Sequence, residues 1–292
     1  MKNKILIIGH KGTLGQELIK IFPDAVAWDR PSLKLRTASS NEIDITDKKQ
    51  VGEKITKLNP DIIINAAAYN AVDKCETDDE QFELAKKING LAVGYLADVC
   101  TKINATLIHY STSYLFDGEK KEGYNEDNEP NPINKYGQSK LLGEQEILKC
   151  GNLQYYIIRL SKLFGEKGSS EMTKDNFFDI MIKLSEKQNE IKVVDDELSN
   201  FTYAPDLAKF TKNLIENKNE FGIYHGVNEN PCTWYEGAKV LFDIIGKNVK
   251  LIRVNSDEFS RITKIPKYAI LNNNKLPKLR NYKEALKEYL NK

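Results

Sequence analysis

Short apolar runs alternate with longer stretches of helical periodicity in the first half of the chain. The runs are rich in β-branched residues and bounded by turn residues, so they predict strands that are buried on both faces. These strands are Ile5–Ile8, Ala25–Trp28, Asp61–Asn65, Thr106–Tyr110 and Tyr155–Arg159. The helices predicted between them are Leu14–Ile21, Asp47–Leu58, Thr77–Thr101 and Tyr136–Leu148. Such alternation is typical of βαβ units and predicts a doubly wound parallel α/β sheet.

The pattern is less regular after Arg159, and neither an internal repeat nor a low-complexity linker divides the chain. We predict a loop at Gly165–Asp175. The later elements are helices at Asn176–Ser185, Pro205–Ile215, Trp234–Ile245 and Tyr282–Leu290, and strands at Ile191–Val194 and Gly222–His225. We therefore expect a smaller α/β substrate-binding domain built from late segments. Residues 1–165 and about 191–225 are assigned to a cofactor-binding domain, and about 166–190 and 226–292 to the smaller domain.

Composition narrows the classes of function. The 292 residues carry 43 Lys and Arg against 42 Asp and Glu, so no basic excess indicates nucleic acid. The longest apolar runs are far too short to span a membrane, and the N-terminus has no secretory pattern. Three histidines lack the spacing of metal ligands. Scattered cysteines predict reduced thiols in a cytoplasmic protein: Cys75, Cys100, Cys150 and Cys232.

Gly9, Gly12 and Gly15 lie between the first strand and the first helix, in a G-x-x-G-x-x-G spacing. Glycines permit a tight turn and let the backbone approach a pyrophosphate, while the helix N-terminus offers free N–H groups. A glycine-rich turn without a ligand is the alternative. The position at the start of a βαβ series favours a dinucleotide in a Rossmann-type domain. Further contacts are then predicted from Lys11, Thr13 and Leu14.

Residues at the ends of the following strands predict the rest of the cofactor site. Asp29 ends the second strand, where a carboxylate can bind the adenosine ribose. Arg30 and Lys11 are placed to neutralise a 2′-phosphate, so we expect NADPH, with NADH possible; either side chain could equally be a solvated charge. Small or polar residues that follow two later strands are expected near adenine and ribose: Asp44, Ile45, Ala66, Ala67 and Ala68.

A tyrosine and a lysine four residues apart occur twice, at Tyr136–Lys140 and Tyr235–Lys239. This spacing arises easily by chance, and the context separates the two pairs. The strand Thr106–Tyr110 runs into Ser111-Thr112-Ser113, at the edge where a parallel sheet opens its crevice. Tyr136 opens the next helix, whereas Tyr235–Lys239 is interpreted as ordinary helix surface.

The first pair suits carbonyl reduction. Both side chains project from one helix face, and a nearby ammonium is expected to lower the pKa of the Tyr136 phenol. Tyr136 would donate a proton to the carbonyl oxygen, and Thr112 would hold that oxygen by a hydrogen bond. Lys140 would also bind the nicotinamide ribose.

These motifs together resemble an extended short-chain dehydrogenase/reductase. More closely, the chain is similar to the dTDP-4-dehydrorhamnose reductase family over nearly its whole length. The similarity is carried by NAAAYNAVDKCE from Asn65, YSTSYLFDG from Tyr110 and YGQSKLLGE from Tyr136. The resemblance implies reduction of the 4-keto group of a nucleotide-linked 6-deoxyhexose with NADPH or NADH. It makes Thr112, Tyr136 and Lys140 catalytic and places Asn89 in the cofactor site, behind the lysine.

Departures from the family pattern cluster on the substrate side. Ser113 replaces an aspartate, and Lys162 stands where an aromatic residue would pack on the sugar. Ile265-Pro266 replaces an arginine before proline, which leaves Arg261 and Lys264 as candidate phosphate contacts. The predicted substrate contacts are Ser113, Tyr114, Lys162, Asn176, Glu197, Thr202 and Arg261.

These departures leave the sugar and the nucleotide open. One alternative keeps the reaction but uses a UDP-linked acetamido-dideoxyhexulose or another nucleotide sugar. Another is a non-catalytic, NADP-binding regulatory subunit, against which the intact catalytic trio argues. Some family members carry a divalent metal at a dimer contact, and Glu17, Glu190 and Glu288 fall near suitable places. Three glutamates are more typical of solvated surface, so no metal is predicted, and a homodimer is left open.

Overall fold

The secondary structure alternates along the chain in the predicted order. The computed structural model describes residues 3–31, 41–258 and 261–291. The helices are α1 (Thr13–Ile21), α2 (Lys48–Leu58), α3 (Val72–Thr77), α4 (Asp79–Ala85), α5 (Ala92–Ile103), α6 (Lys135–Leu148), α7 (Phe177–Ser185), α8 (Ala204–Glu216), α9 (Trp234–Ile245) and α10 (Tyr282–Leu290). The strands are β1 (Ile5–Ile8), β2 (Val26–Trp28), β3 (Ile62–Asn65), β4 (Thr106–Thr112), β5 (Tyr155–Leu160), β6 (Leu163–Phe164), β7 (Glu190–Val194), β8 (Leu198–Ser199), β9 (Thr202–Tyr203), β10 (Gly222–His225), β11 (Asn228–Glu229), β12 (Cys232–Thr233), β13 (Lys250–Val254), β14 (Tyr268–Ala269) and β15 (Leu279–Asn281).

A six-stranded parallel sheet forms the centre of the molecule, in the order β10-β5-β4-β3-β1-β2. The chain leaves β1 toward β2 and then returns to the other side of β1 to form β3. The order therefore reverses between β1 and β3, and ligands bind at such a switch point in open α/β sheets. The predicted doubly wound fold is confirmed.

Both faces of this sheet are covered, which explains why its strands are continuous apolar runs. Leu6, Ile8 and Ile63 pack into a core beneath α2, α5 and α6. Ile7 and Ile64 point to the opposite face, where α1 and α8 pack against each other. Successive residues of one strand thus serve two separate cores.

A second, smaller core lies outside the large sheet. Strand β7 pairs in parallel with β13, and α7, α9 and α10 pack around them. Ile191, Val193 and Phe201 belong to this core, whereas α8 and β10 belong to the layers of the large sheet. The segment 191–225 assigned to the cofactor domain is therefore shared between the two cores. The functional division into two domains stays a prediction.

The helix predicted over Thr77–Thr101 is interrupted, so that prediction is wrong in its continuity. Asp78 is extended (φ −139°, ψ 110°), and its carboxylate accepts hydrogen bonds from the N–H groups of Glu80 and Gln81. The preceding residues form α3, which the sequence pattern did not predict. Between α4 and α5 the chain makes a π-helical turn, Lys86–Leu91. Within the described residues, no helix is both long and apolar enough to cross a membrane.

Candidate active site

The glycine loop follows β1 at the switch point and lies close to the chain that follows β3. Gly9 has φ +85°, and a Cβ atom there would lie 2.6 Å from the backbone nitrogen of Ala67. At Gly15, a Cβ atom would lie 2.1 Å from the carbonyl oxygen of Gly9. No side chain fits at either position, because the contacting atoms are backbone. The two glycines are therefore required for the loop to turn and for α1 to approach it.

The N-terminus of α1 is open to an anion. Its N-cap residue, Gly12, supplies no side-chain hydrogen bond, and no acidic residue lies in the first turn. Thr13 and Leu14 occupy the first two helical positions, whose N–H groups have no partner within a helix. Backbone donors and the positive end of the helix dipole suit a pyrophosphate. The loop that sequence analysis assigned to a dinucleotide thus has the required features.

The Asp29 carboxylate stabilises the glycine loop by hydrogen bonds. Its carboxylate accepts hydrogen bonds from the N–H of Lys11 and the N–H of Arg30, both at 2.9 Å. These bonds hold the loop against the end of β2 and engage both carboxylate oxygens. The Arg30 side chain is exposed and Lys11 is half-buried, so both are accessible to a phosphate.

The chain after β3 and the segment near Asp44 complete the predicted cofactor site. The N–H of Ala66 donates to the Ile8 carbonyl at 2.9 Å, and the N–H of Ala67 donates to Asn65 Oδ1 at 3.2 Å. Ala68 and Asp44 are exposed and Ile45 is buried. The two alanines therefore line the approach to Gly9, as expected of small residues at this edge.

The loop between β6 and α7 covers the glycine loop, a contact that sequence analysis did not predict. The N–H of Ser170 donates to the Lys11 carbonyl at 3.0 Å, and Gln16 donates to the Glu166 carbonyl at 2.7 Å. A Cβ atom at Gly168 would lie 2.3 Å from the Lys11 carbonyl oxygen. Gly168 thus allows two distant segments to touch beside the N-terminus of α1.

The proposed catalytic tyrosine lies where β4 ends and α6 begins. Asn134 caps α6 by accepting a hydrogen bond from the N–H of Gly137 at 2.7 Å, which places Tyr136 in the first turn. The Tyr136 hydroxyl donates to Asn70 Oδ1 at 3.2 Å. Burial raises the pKa of Tyr136 to about 12, and a hydrogen bond with Thr112 opposes this rise. Asn70 is thus a hydrogen-bond partner of Tyr136, and the catalytic role of Thr112 and Tyr136 stays a prediction.

Lys140 is buried one helical turn after Tyr136. Its ammonium donates to the Tyr110 carbonyl at 2.7 Å and lies 3.4 Å from His109 Nε2. Burial lowers the pKa of Lys140 to about 8, against an opposing effect of Glu144. Burial, together with Lys140, also holds the pKa of His109 well below its ordinary value, so the imidazole is neutral. The lysine is thus an ammonium with little water around it.

Asn89 lies in the π-helical turn and connects three segments. Its side chain accepts from the N–H of Tyr69 at 2.8 Å and donates to the Tyr69 carbonyl at 3.0 Å and to Ser139 Oγ at 3.0 Å. Ser139 in turn donates to the Tyr136 carbonyl at 2.7 Å. A Cβ atom at Gly143 would lie 2.1 Å from the Asn89 carbonyl oxygen, so α6 packs closely on this turn. Asn89 therefore helps to position α6, and its predicted place in the cofactor site stays a prediction.

The predicted substrate side forms a second polar cluster. The Glu197 carboxylate is buried and accepts from Arg261 Nη1 at 2.6 and 2.8 Å and from Trp234 Nε1 at 2.9 Å. Tyr114 lies between this cluster and the reaction site, with its ring edge-on to Tyr136 at a centroid distance of 5.9 Å. Burial, followed by the charge of Glu197, raises the pKa of Tyr114.

The segment that carries Arg261 is tied to the catalytic helix. Thr263 Oγ1 donates to Asp73 Oδ1 at 2.8 Å, and Asn134 Nδ2 donates to the Lys264 carbonyl at 3.0 Å. Asn134 is also the N-cap of α6. The segment that carries Arg261 is therefore held against the start of α6.

Three predicted substrate contacts have other partners. Ser113 is buried, and its hydroxyl donates to Ser161 Oγ at 2.9 Å. Thr202 has no exposed surface, and its hydroxyl accepts from the Ser161 N–H at 3.3 Å. Asn176 caps α7, and its amide donates to Gly165, Asp179 and Tyr289. These contacts hold β5, β9 and α7 in place and give no support to a substrate contact from these side chains.

Comparison with known proteins decides the family. The sequence matches the family described as RmlD substrate binding domain over residues 2–292. The chain belongs to the RmlD substrate-binding-domain family. The resemblance predicted from the motifs is thereby confirmed.

Three relatives of this RmlD-family chain match it over almost their whole lengths. The spore coat polysaccharide biosynthesis protein SpsK of Bacillus subtilis is 33% identical over 291 residues, which are 98% of this chain and 96% of that protein. The crystal structure of dTDP-4-dehydrorhamnose reductase from Bacillus anthracis in complex with NADP is 33% identical, with a TM-score of 0.87 over 99% of each chain. The crystal structure of a dTDP-4-dehydrorhamnose reductase from Clostridium acetobutylicum is 36% identical, with a TM-score of 0.87 over 99% of this chain and 98% of the other.

The glutamates considered for a metal do not come together in this RmlD-family chain. Glu17 pairs with Lys20 at 2.8 Å, Glu190 with Lys250 at 2.7 Å, and Glu288 with Arg280 at 2.7 Å. Within the described ranges, no cluster of three or more potential ligands could hold a metal ion.

The second tyrosine–lysine pair of this RmlD-family chain lies on α9. The guanidinium of Arg253 stacks on the Tyr235 ring at 4.5 Å, and Lys239 is exposed.

Several site residues were missed by sequence reasoning. Asn70 belongs to the quoted NAAAYN motif, so the motif could have indicated it. Trp234 gave no signal beyond its place at the start of a predicted helix, and Gly168 lies in a segment that is predicted only as a loop. His109 sits in the middle of a strand and gave no signal. Contacts between distant segments define all of these positions, and a linear pattern does not contain such contacts.

Proposed function

We propose that this protein is an NADPH-dependent oxidoreductase that reduces the 4-keto group of a dTDP-linked 6-deoxyhexose, namely dTDP-4-dehydro-L-rhamnose. The observation that carries the proposal is the placement of Tyr136 in the first turn of α6 and of the buried Lys140 one turn later. The Lys140 ammonium donates at 2.7 Å to the Tyr110 carbonyl of β4, the strand that ends in Thr112. Several relatives are named dTDP-4-dehydrorhamnose reductase, among them the Aggregatibacter actinomycetemcomitans protein, which is 31% identical over 284 residues. The product belongs to the synthesis of cell-surface polysaccharide precursors.

The residues at the switch point fit a dinucleotide. Gly9, Gly12 and Gly15 leave the N-terminus of α1 free of side chains, and that helix end has no capping side chain of its own. The N–H groups of Thr13 and Leu14 would bind the pyrophosphate. When bound, NADPH supplies the hydride for the ketone carbon. Lys11 and Arg30 would bind the additional phosphate of NADPH, and NADH remains a usable cofactor without it.

Tyr136 is the proton donor in this proposal. Its phenol is protonated at neutral pH, and burial raises its pKa further above that pH, to about 12. A protonated phenol can donate to a carbonyl oxygen as negative charge develops there. Thr112, at the end of β4, offers a second hydrogen-bond donor to the same oxygen. Lys140 places a positive charge beside these groups and can replenish the proton through the ribose hydroxyls that it is predicted to bind.

The experiment that tests the proposal measures NADPH oxidation with three substrates. The purified chain is given dTDP-4-dehydro-L-rhamnose, a UDP-linked 4-keto-acetamido-dideoxyhexose, or no sugar nucleotide. We expect turnover with the dTDP sugar at a kcat/KM well above that with the UDP sugar. A preference for the UDP sugar would keep the reaction and change the substrate. Tight NADPH binding without oxidation in the presence of any 4-keto sugar nucleotide would contradict the enzyme function and favour the regulatory subunit.

A cytoplasmic location and a homodimer belong to the same proposal. Cys75, Cys100, Cys150 and Cys232 are all free thiols, as expected of a reducing compartment. Sedimentation of the purified chain at micromolar concentration measures the oligomeric state, and a single species of 33.3 kDa would contradict the homodimer.

A further inference from the structure

Lys162 adopts a backbone conformation that lysine rarely takes. It lies between β5 and β6 with φ +30°, in the left-handed region where a Cβ atom is crowded. Neighbouring contacts hold it there, since the N–H of Thr202 donates to the Lys162 carbonyl at 3.2 Å. Strained backbone of this kind persists where surrounding structure imposes it and is concentrated at functional sites. The strained backbone at Lys162 therefore suggests that its side chain has a functional role.

The Lys162 side chain packs on two aromatic rings, those of Trp234 and Phe201, which together form the Trp234–Phe201 floor of this site. Its Nζ atom is 3.7 Å from the centroid of the Trp234 ring and 5.1 Å from that of Phe201. It also makes a long hydrogen bond of 3.5 Å to the Cys232 carbonyl. An amine can make several hydrogen bonds. Among the described residues, the Cys232 carbonyl is the one oxygen that the Lys162 amine contacts. Desolvation lowers the pKa of Lys162 to about 7, so the group has little water to replace that partner.

The position of Lys162 relative to the reaction follows from strand register. Thr112 on β4 pairs with Leu160 on β5, and the next residues are joined by the hydrogen bond from Ser113 to Ser161. The chain that leads to Lys162 therefore runs beside the chain that leads to Tyr114. Because the ketone must lie at Thr112 and Tyr136, Lys162 is beside the hexose rather than the distal nucleotide.

We propose that Lys162 is a specificity-determining residue whose amine hydrogen-bonds an oxygen substituent of the hexose against the Trp234–Phe201 floor. This inference rests on the proposed function, because it takes the hexose to be bound at Tyr136. Glu197 and Arg261 neutralise each other through their hydrogen bonds at 2.6 and 2.8 Å. The Lys162 amine donates to the Cys232 carbonyl at 3.5 Å and has further N–H groups with which to bind a substrate oxygen. The chemistry recognised is a ring hydroxyl or other oxygen acceptor of a nucleotide-linked hexose.

Two variants and a matched control test the proposal. Lys162→Met keeps the length and removes the donor, and Lys162→Gln keeps a donor without the charge. Lys239→Met is the control, because Lys239 is exposed on the helix that carries Trp234. We measure kcat and KM for the dTDP-linked 4-keto sugar, and the Kd of dTDP and of NADPH by calorimetry. NADPH binding reports whether each variant is folded.

The proposal expects Lys162→Met to raise KM on the order of 10-fold while kcat changes little, because a hydrogen bond to the bound hexose is lost. Lys162→Gln recovers part of the loss, and the Kd of dTDP is unchanged in all variants. An equal loss of affinity for dTDP, which lacks the hexose, would overturn the proposal and make Lys162 a diphosphate contact. An unchanged KM in Lys162→Met would also overturn it. If the wild-type chain turns over no 4-keto sugar, the proposed function fails, and calorimetry comparing dTDP-linked hexose with dTDP still tests Lys162.

Discussion

The ammonium of Lys140 donates a hydrogen bond to the carbonyl oxygen of Tyr110 at 2.7 Å. Tyr110 belongs to β4, so this hydrogen bond anchors the buried lysine to the sheet. The sequence predicted that Lys140 lowers the pKa of Tyr136, whereas in this structure burial raises that pKa to about 12. At neutral pH the phenol therefore carries the proton that the proposed reduction needs.

Tyr136→Phe removes the proposed proton donor and leaves the ring packed against Tyr114. We expect kcat to fall on the order of 10²–10⁴-fold, because general acid catalysis contributes about that much. The Kd of NADPH should change little. Stopped-flow measurement of NADPH oxidation under saturating sugar nucleotide checks the result.

Tyr235→Phe is the matched control for that experiment, since Tyr235 is the tyrosine of the second pair and stacks on Arg253. Near-normal turnover in Tyr136→Phe, or a larger loss in Tyr235→Phe, would falsify the assignment of the proton donor.

Arg30→Ala and Lys11→Ala should weaken NADPH binding more than NADH binding. Each removes a cation that is accessible beside Asp29, and only NADPH carries the 2′-phosphate. We expect the Kd of NADPH to rise on the order of 10-fold per variant, from the loss of a charge-assisted hydrogen bond. Fluorescence titration with both cofactors checks this, and equal losses for the two would show that neither side chain binds the phosphate.

Gly168→Ala should weaken cofactor binding through the loop that covers the glycine loop. The added methyl group would lie 2.3 Å from the Lys11 carbonyl oxygen, so one of the two segments must move. The expected outcome is a raised Kd for both NADPH and NADH, with a lower Tm. The matched control is Gly52→Ala in α2, where an added Cβ meets nothing within 4 Å.

In that control we expect cofactor affinity to be unchanged and stability to increase by about 0.5–1 kcal/mol, because alanine is the better helix residue. Identical effects of the two substitutions on cofactor affinity would contradict a role for Gly168.

The cost of burying Lys162 should depend on pH. Desolvation lowers its folded-state pKa from an ordinary value of 10.5 to about 7. The charge of Arg261 also lowers this pKa, whereas the charges of Glu197 and Glu236 oppose the fall. Between these values the unfolded chain binds more protons than the folded one, so this group makes stability rise with pH from about 7 to 10.5. The destabilising effect of Lys162 is therefore complete below pH 7 and relieved above it.

Lys162→Met should consequently raise Tm more at pH 6 than at pH 9.5, relative to wild type at each pH. Lys239→Met, at an exposed position, should show no such difference. Scanning calorimetry on both variants checks the prediction, and an equal effect of Lys162→Met at the two pH values would contradict it. The thiol of Cys232 also interacts with Lys162. Cys232→Ala removes the titration of this thiol, so any pH dependence that remains in that variant comes from the lysine.

The sequence predicted those parts of the fold and site that depend on local patterns. The strands of the large sheet, the glycine loop and the pair Tyr136–Lys140 lie in contiguous segments whose spacing reflects their geometry. The π-helical turn was missed because its residues also fit a helical period. Gly168 was missed because its partner, Lys11, is distant in sequence. The pKa of Tyr136 was misjudged because burial is a property of the assembled fold and a motif does not contain it.

The π-helical turn Lys86–Leu91 has a consequence for how this site can change. A π turn closes its hydrogen bonds over one residue more than an α turn. Deletion of a single residue there would convert the turn to α-helix and leave the flanking helices close to their present orientation. The turn that carries Asn89 would be lost, and with it the hydrogen bonds to Tyr69 and Ser139, although the residues of the proposed catalytic trio lie on other elements. The orientation of α6 is thus encoded in the length of a neighbouring helix, and a substitution scan, which never alters length, would not detect it.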